Sequence, residues 1–267
     1  MLLKKCLLSG KNKLITVAIM VSVLILTTAC SLISSSEQPK TTPSPDASNK
    51  KPTTKNDTYK GEVIYSLDFA QKSSDDARKW LKKKDFEFKS AAESQSKLAV
   101  TFANESLVLD AKEKLFGLII NGKLNLKDAK KIKITWGVDK YPKGASYEKG
   151  VNNEAIMVYV YFGDKKLSSG SMFIPNGPYF LGLYLGETDK INNPFTGRHF
   201  KEGGRFICLA NPKPGETITS EFDLDKGFKD SFGESNTVPF ISGVALEVET
   251  SSTTPSKSFI KKIEFLR

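Results

Sequence analysis

Beyond residue 59 the apolar residues fall mostly on every second position. In residues 131–138 (KIKITWGV), Ile132, Ile134, Trp136 and Val138 share one face of a strand, because successive side chains of an extended chain point to opposite sides. The same period of two predicts strands at 63–69, 86–89, 98–102, 107–109, 156–162, 180–185, 205–209, 217–224, 241–248 and 259–266. Turn-forming residues separate them, as in Asn176-Gly-Pro178 and Asn211-Pro-Lys-Pro-Gly215. Two stretches break the alternation and predict short helices. Residues 74–82 start from Ser74 and its following acids as an N-cap, and residues 223–232 start from Asp223. Many short strands with one or two short helices predict an all-β fold, an antiparallel β-sandwich of jelly-roll type, over residues 59–267.

The pattern before residue 59 is different. Lys4, Lys5, Lys11 and Lys13 precede an apolar run at 15–26 that contains no charge. The run is about a dozen residues, against the roughly 20 a spanning helix needs, so it predicts a cleaved export signal over 1–29. The run ends Leu26-Thr-Thr-Ala-Cys30, small residues leading to a cysteine, as a lipoprotein signal does. Cys30 is therefore the expected lipidation site. Diacylglycerol with an added palmitate-type acyl chain would supply the two or more buried chains that stable anchoring requires. Residues 30–58 are rich in Ser, Thr, Pro, Lys and Asn and carry no apolar period, which predicts a disordered tether. Its typical reach is about 30 Å. The chain is thus expected in the cell envelope, outside the cytoplasm, with the membrane as a partner through Cys30.

Composition sharpens this. The 267 residues carry three cysteines; Cys6 leaves with the signal and Cys30 takes lipid, so Cys208 has no partner for a disulfide and reads as a buried apolar residue. The formal charge of +10 loses four lysines and no acid with residues 1–29, leaving +6. Of the 40 basic residues only four are arginine, and the lysines are scattered singly, which argues against nucleic acid as a partner. His199 is the one histidine, and there is no Gly-x-Ser-x-Gly, no phosphate-binding glycine loop and no His/Cys metal cluster. No catalytic residue, metal or cofactor is expected on these grounds.

Face arithmetic gives the candidate ligand site. If Ile156, Val158, Val160 and Phe162 form a core row, then Met157, Tyr159 and Tyr161 lie on the opposite face; in the next strand Phe180 and Tyr184 alternate with Gly182 and Gly186. Rings separated by glycines form a flat surface on which a sugar or another extended chain can stack. The long polar connection 187–204 adds Arg198 and His199 as candidate anion contacts. The expected function is a non-catalytic binding module for a glycan or other envelope polymer. The alternatives are an envelope polysaccharide hydrolase or lyase using Asp223, Asp225, Glu247 or Glu249, and a structural scaffold of the envelope.

Several segments carry a family resemblance: Ile134-Thr-Trp-Gly-Val-Asp139, residues 152–162, Phe222-Asp-Leu-Asp225, Phe232-Gly233 and residues 241–250. In order and spacing, residues of about 130–267 resemble a bacterial exported family catalogued as domain of unknown function 3047. The resemblance implies a jelly-roll like that of sugar-binding modules and no particular activity. Asn152 and Asn153 stand where that family has paired aspartates, Ile156 where it has arginine, and Glu249-Thr-Ser-Ser252 where it often has Asp-x-Asp. If the family's acids bind a cation, these departures imply that this chain has lost the site.

Overall fold

The structure is a computed structural model describing residues 61–70, 76–235 and 237–267. The expected signal peptide, Cys30, the tether and Ser74 lie outside the described residues. The elements run β1 (Val63–Asp68), α1 (Ala77–Lys83), β2 (Glu87–Ser90), β3 (Leu98–Ala103), β4 (Ser106–Ala111), β5 (Phe116–Asn121), β6 (Lys131–Lys140), β7 (Glu154–Leu167), β8 (Gly177–Leu185), β9 (Pro194–Phe195), β10 (Gly204–Ala210), β11 (Ile218–Asp223), α2 (Leu224–Phe232), β12 (Ile241–Glu249) and β13 (Lys257–Leu266).

The strands form two sheets. The first has the order β11-β6-β13-β4-β3, with β1 also paired to β13; the second has the order β2-β5-β12-β7-β8-β10-β9. Their inner rows share one core: Ile132, Ile134, Trp136 and Val138 of β6 meet Ile156, Val158, Val160 and Phe162 of β7 and Val244, Leu246 and Val248 of β12. The alternation in the sequence is the cause, since each strand can bury only the residues of one parity. Trp136 lies wholly within this core, and its indole N–H, which would be costly to leave unpaired there, donates to Ser220 Oγ at 3.1 Å. The β-sandwich expected from the pattern is the fold observed.

Among the described residues the ladders are antiparallel with one exception. β10 runs parallel to β8, with Arg205 opposite Leu181 and Ile207 opposite Leu183. A parallel partner needs a crossover rather than a hairpin, and residues 186–203, including short β9, provide it.

Both helices form, with one shift. α1 begins at Ala77, capped by Asp76, whose side chain accepts from Lys79 N at 2.9 Å. α2 is capped by Asp223, which accepts from Lys226 N at 2.9 Å, and buries Leu224 and Phe228. Asp223 and Asp225 straddle the end of β11 and the first turn of α2, where carboxylates favour the positive end of the helix. No helix among the described residues is long and apolar enough to cross a membrane.

Candidate functional site

The outer row of the second sheet has the predicted residues but not the predicted openness. Met157 and Tyr159 of β7, Phe180 and Tyr184 of β8, Cys208 of β10 and Ala245 of β12 form a second buried cluster on the face away from the main core. Tyr147, from the β6–β7 connection, completes it, with Phe195, Phe200 and Phe206 packed around. Tyr147 lies 4.5 Å, centroid to centroid, from Tyr184, and Phe180 meets Tyr159 edge-on at 5.2 Å and Phe200 at 5.5 Å. The expected flat stacking surface at Tyr159, Phe180 and Tyr184 is therefore corrected: two distant connections fold over it and make it a core. Only Tyr161 of the expected aromatic row is partly exposed. Arg198 is exposed and His199 half-buried on the connection between β9 and β10. Among the described residues neither forms a hydrogen bond or ion pair with the aromatic row.

Gly182 leaves room for the side chains of the flanking strands to pack over β8. A β-carbon there would lie 2.5 Å from Met157 Sδ and 3.0 Å from Phe206 Cδ1. Gly182→Ala should therefore cost about 1–3 kcal/mol through overpacking, read as a lower unfolding midpoint in denaturant with an unchanged slope.

Polar groups are built into this second core. Asp189, buried in the β8–β9 connection, accepts from Ser146 Oγ at 2.6 Å, Tyr147 N at 3.1 Å and Tyr184 Oη at 2.9 Å. One carboxylate thus ties both covering connections to the sheet. Beside it Tyr147 Oη donates to Glu154 Oε2 at 2.7 Å, and Tyr159 Oη donates to Glu247 Oε1 at 2.9 Å. Glu154 Oε1 meets no N–H or O–H donor. Glu154 and Glu247 are close enough for the charge of one to act on the other.

Burial, followed by the charge of Glu247, holds the Glu154 carboxyl well above the usual carboxylate range, against the opposing hydrogen bond from Tyr147. Burial pushes Glu247 up to about 8, helped by Glu249 and opposed by Tyr159. The phenols of Tyr147, Tyr159 and Tyr161 are raised too, by burial first and then by the acids beside them. Both acids therefore hold a proton more tightly than an exposed carboxyl group does. The Cys208 thiol is raised to about 11, chiefly by burial, which makes it inert, as its place in the core implies.

Sequence reasoning missed Tyr147, Glu154 and Asp189. Glu247 carried a signal, since it interrupts the apolar run 244–248, and a lone acid in such a run must find a partner when the strand is buried on both faces. The four expected carboxylates do not converge. Glu247 and Glu249 lie on the second sheet, while Asp223 and Asp225 belong to β11 and α2 beside the first.

The segments where the resembled family has acids do meet. Asn153 Oδ1 accepts from Ser252 N at 3.0 Å and Thr253 Oγ1 at 2.8 Å, so a neutral amide links them directly. Among the described residues no group of three or more His, Cys, Asp or Glu is placed to hold a metal ion.

On this face Tyr161 of β7 and Leu118 and Ile120 of β5 are only partly buried. Tyr161 stacks on Tyr159 at 5.8 Å with the rings 10° apart, and beside it Gly243 leaves room for the ring. A buried ring thus backs an accessible one, with Glu247 hydrogen-bonded to the former.

No protein-family model matches the chain, and no curated protein matches it. Among solved structures the chain is similar to the carbohydrate recognition domain of Emp46p in its metal-free form, with a TM-score of 0.41 and 15% identity over 78% of this chain and 98% of that one. It is also similar to the exoplasmic/lumenal domain of VIP36, at 0.35 and 9% over 68% and 84%, and to the endo-1,4-beta-glucanase CelB2, at 0.34 and 12% over 63% and 86%. These comparisons carry no residue role over to this chain.

Proposed function

We propose that this chain is an envelope lipoprotein, anchored through Cys30 and tethered by residues 30–58, whose sandwich binds a glycan or another extended polymer without cleaving it. Membership of the family catalogued as domain of unknown function 3047 is part of the same proposal. The observation that carries the binding role is the partly exposed Tyr161 ring. It is fixed by stacking on Tyr159, whose hydroxyl donates to Glu247, and shares its face with the partly buried Leu118 and Ile120. A preorganised ring beside polar groups is the arrangement that recognises the apolar face and the hydroxyls of a sugar together.

The burial of the carboxyl groups supports binding over hydrolysis. Glu154 and Glu247 are buried, and each already accepts a hydrogen bond from a tyrosine, so neither presents a free carboxyl group to a substrate as a glycosidase acid must. Tyr161→Ala should weaken binding about ten-fold on a glycan array or by titration calorimetry while leaving the melting temperature near wild type. Binding indifferent to Tyr161 would overturn this site. Turnover of an envelope polysaccharide that is lost in Glu247→Gln would replace the binding role with an enzymatic one.

A further inference from the structure

The connection from β7 to β8, residues 168–176, presents two large apolar side chains to water. Met172 is 96% exposed and Phe173 92%, whereas the other exposed large hydrophobics among the described residues, Val63, Phe116 and Ile191, are all below half. Isolated exposed apolar residues are ordinary; two in sequence, almost wholly in water, are not.

The tip is built. Ser169 is buried; its Oγ donates to Ile174 O at 2.6 Å and accepts from Ser171 N at 3.2 Å, and its amide donates to Asn176 Oδ1 at 3.1 Å. Ser171 Oγ accepts from Phe173 N at 3.2 Å. The neighbouring connection is joined to it, since Phe200 N donates to Ser169 O at 3.0 Å. The loop therefore holds Met172 and Phe173 outward by its own hydrogen bonds.

Around this tip the charge is positive. Lys165 and Lys166 at the end of β7, and Arg198 and Lys201 on the joined connection, are exposed, against Asp164 and Glu202. Among the described residues none of these six side chains forms an ion pair, so four cations face two acids with their charges free.

We propose that this tip is a membrane-docking element: Met172 and Phe173 enter the headgroup layer of an anionic lipid surface while Lys165, Lys166, Arg198 and Lys201 meet the lipid phosphates. A projecting apolar pair ringed by cations matches an interface whose apolar interior lies beneath a negative surface. It is too small for a stable protein interface, which needs about 800 Å² from each partner. The role is separate from glycan binding at Tyr161 and from the lipid on Cys30, because it concerns what the tip itself touches.

The test places a reporter at the tip of the full chain. Phe173→Trp is compared with the unsubstituted chain, whose tryptophans are Trp80 and Trp136. The vesicles are phosphatidylcholine, with or without phosphatidylglycerol, carrying brominated acyl chains. On anionic vesicles the added tryptophan should shift to the blue and be quenched by the bromines, and Lys165→Ala with Lys166→Ala should weaken that insertion roughly 30-fold. The tip lies outside both cores, so these variants should melt like wild type. A tryptophan that stays water-exposed and unquenched on anionic vesicles overturns the proposal. So does a blue shift that appears without lipid as protein concentration rises, since the tip would then meet a second copy of the chain.

Discussion

Asp189→Ala should lower the stability of the sandwich by about 3–5 kcal/mol, a fall in melting temperature of roughly 10 °C for a domain of this size. The side chain is buried and accepts from Ser146 Oγ, Tyr147 N and Tyr184 Oη. Deleting it leaves three donors where water does not readily reach, and each unpaired buried donor costs about 1–3 kcal/mol before the connections relax. Asp189→Asn keeps one acceptor oxygen and should lose about half as much. The damage should also be local: amide exchange should quicken in residues 141–153 and 187–203, the two connections tied by this carboxylate, well before β6 or β13. A melting temperature within 2 °C or so of wild type for Asp189→Ala would mean that aromatic packing alone holds the cover.

The second large effect is on pH. Glu154 and Glu247 are both raised in the folded chain, Glu247 from an ordinary value of 4.5 to about 8. From about pH 4.5 upward the unfolded chain sheds protons that the folded chain retains. The stability this pair contributes is therefore full below about 4.5 and is lost as the pH rises through 8. The slope approaches 1.4 kcal/mol per pH unit for each such proton. The groups acting on the pair, Tyr147, Tyr159 and Glu249, are phenols and an acid and offer no compensating cation. Glu247→Gln keeps an acceptor for Tyr159 and removes one titration. Its melting temperature should decline less steeply between pH 5 and 8 than that of wild type and exceed it by several degrees at pH 8. Parallel profiles for the two proteins would show that the pair is not the source of the dependence.

The rows of β7 and β8 were legible because alternation is local: the parity that sends Val158 and Leu183 inward sends Tyr159 and Tyr184 outward. What lies above that outward face is not local. Tyr147 and Asp189 come from connections whose residues show no apolar period, so nothing in the pattern marks them as a lid. β5 escaped notice because Phe116-Gly-Leu-Ile-Ile is an apolar run rather than an alternation, as befits a strand with Ile119 in one core and Leu118 and Ile120 against the other. The parallel pairing of β8 with β10 escaped it for a different reason, since periodicity records which face a residue takes and not which way its neighbour runs.

The place of β13 bears on how the chain reaches its folded state. This strand pairs with β1, β4 and β6 at once, with Leu266 opposite Val63. Until residues 257–266 are available, β6 has lost an edge and β1 has nothing to pair with, so the first sheet cannot assemble progressively during synthesis. At about 5–20 residues per second the earlier strands wait many seconds for their partner. A chain whose first sheet closes only when its last strand emerges has no finished sandwich before then, and an unfinished sandwich is more easily threaded through a narrow pore than a closed one.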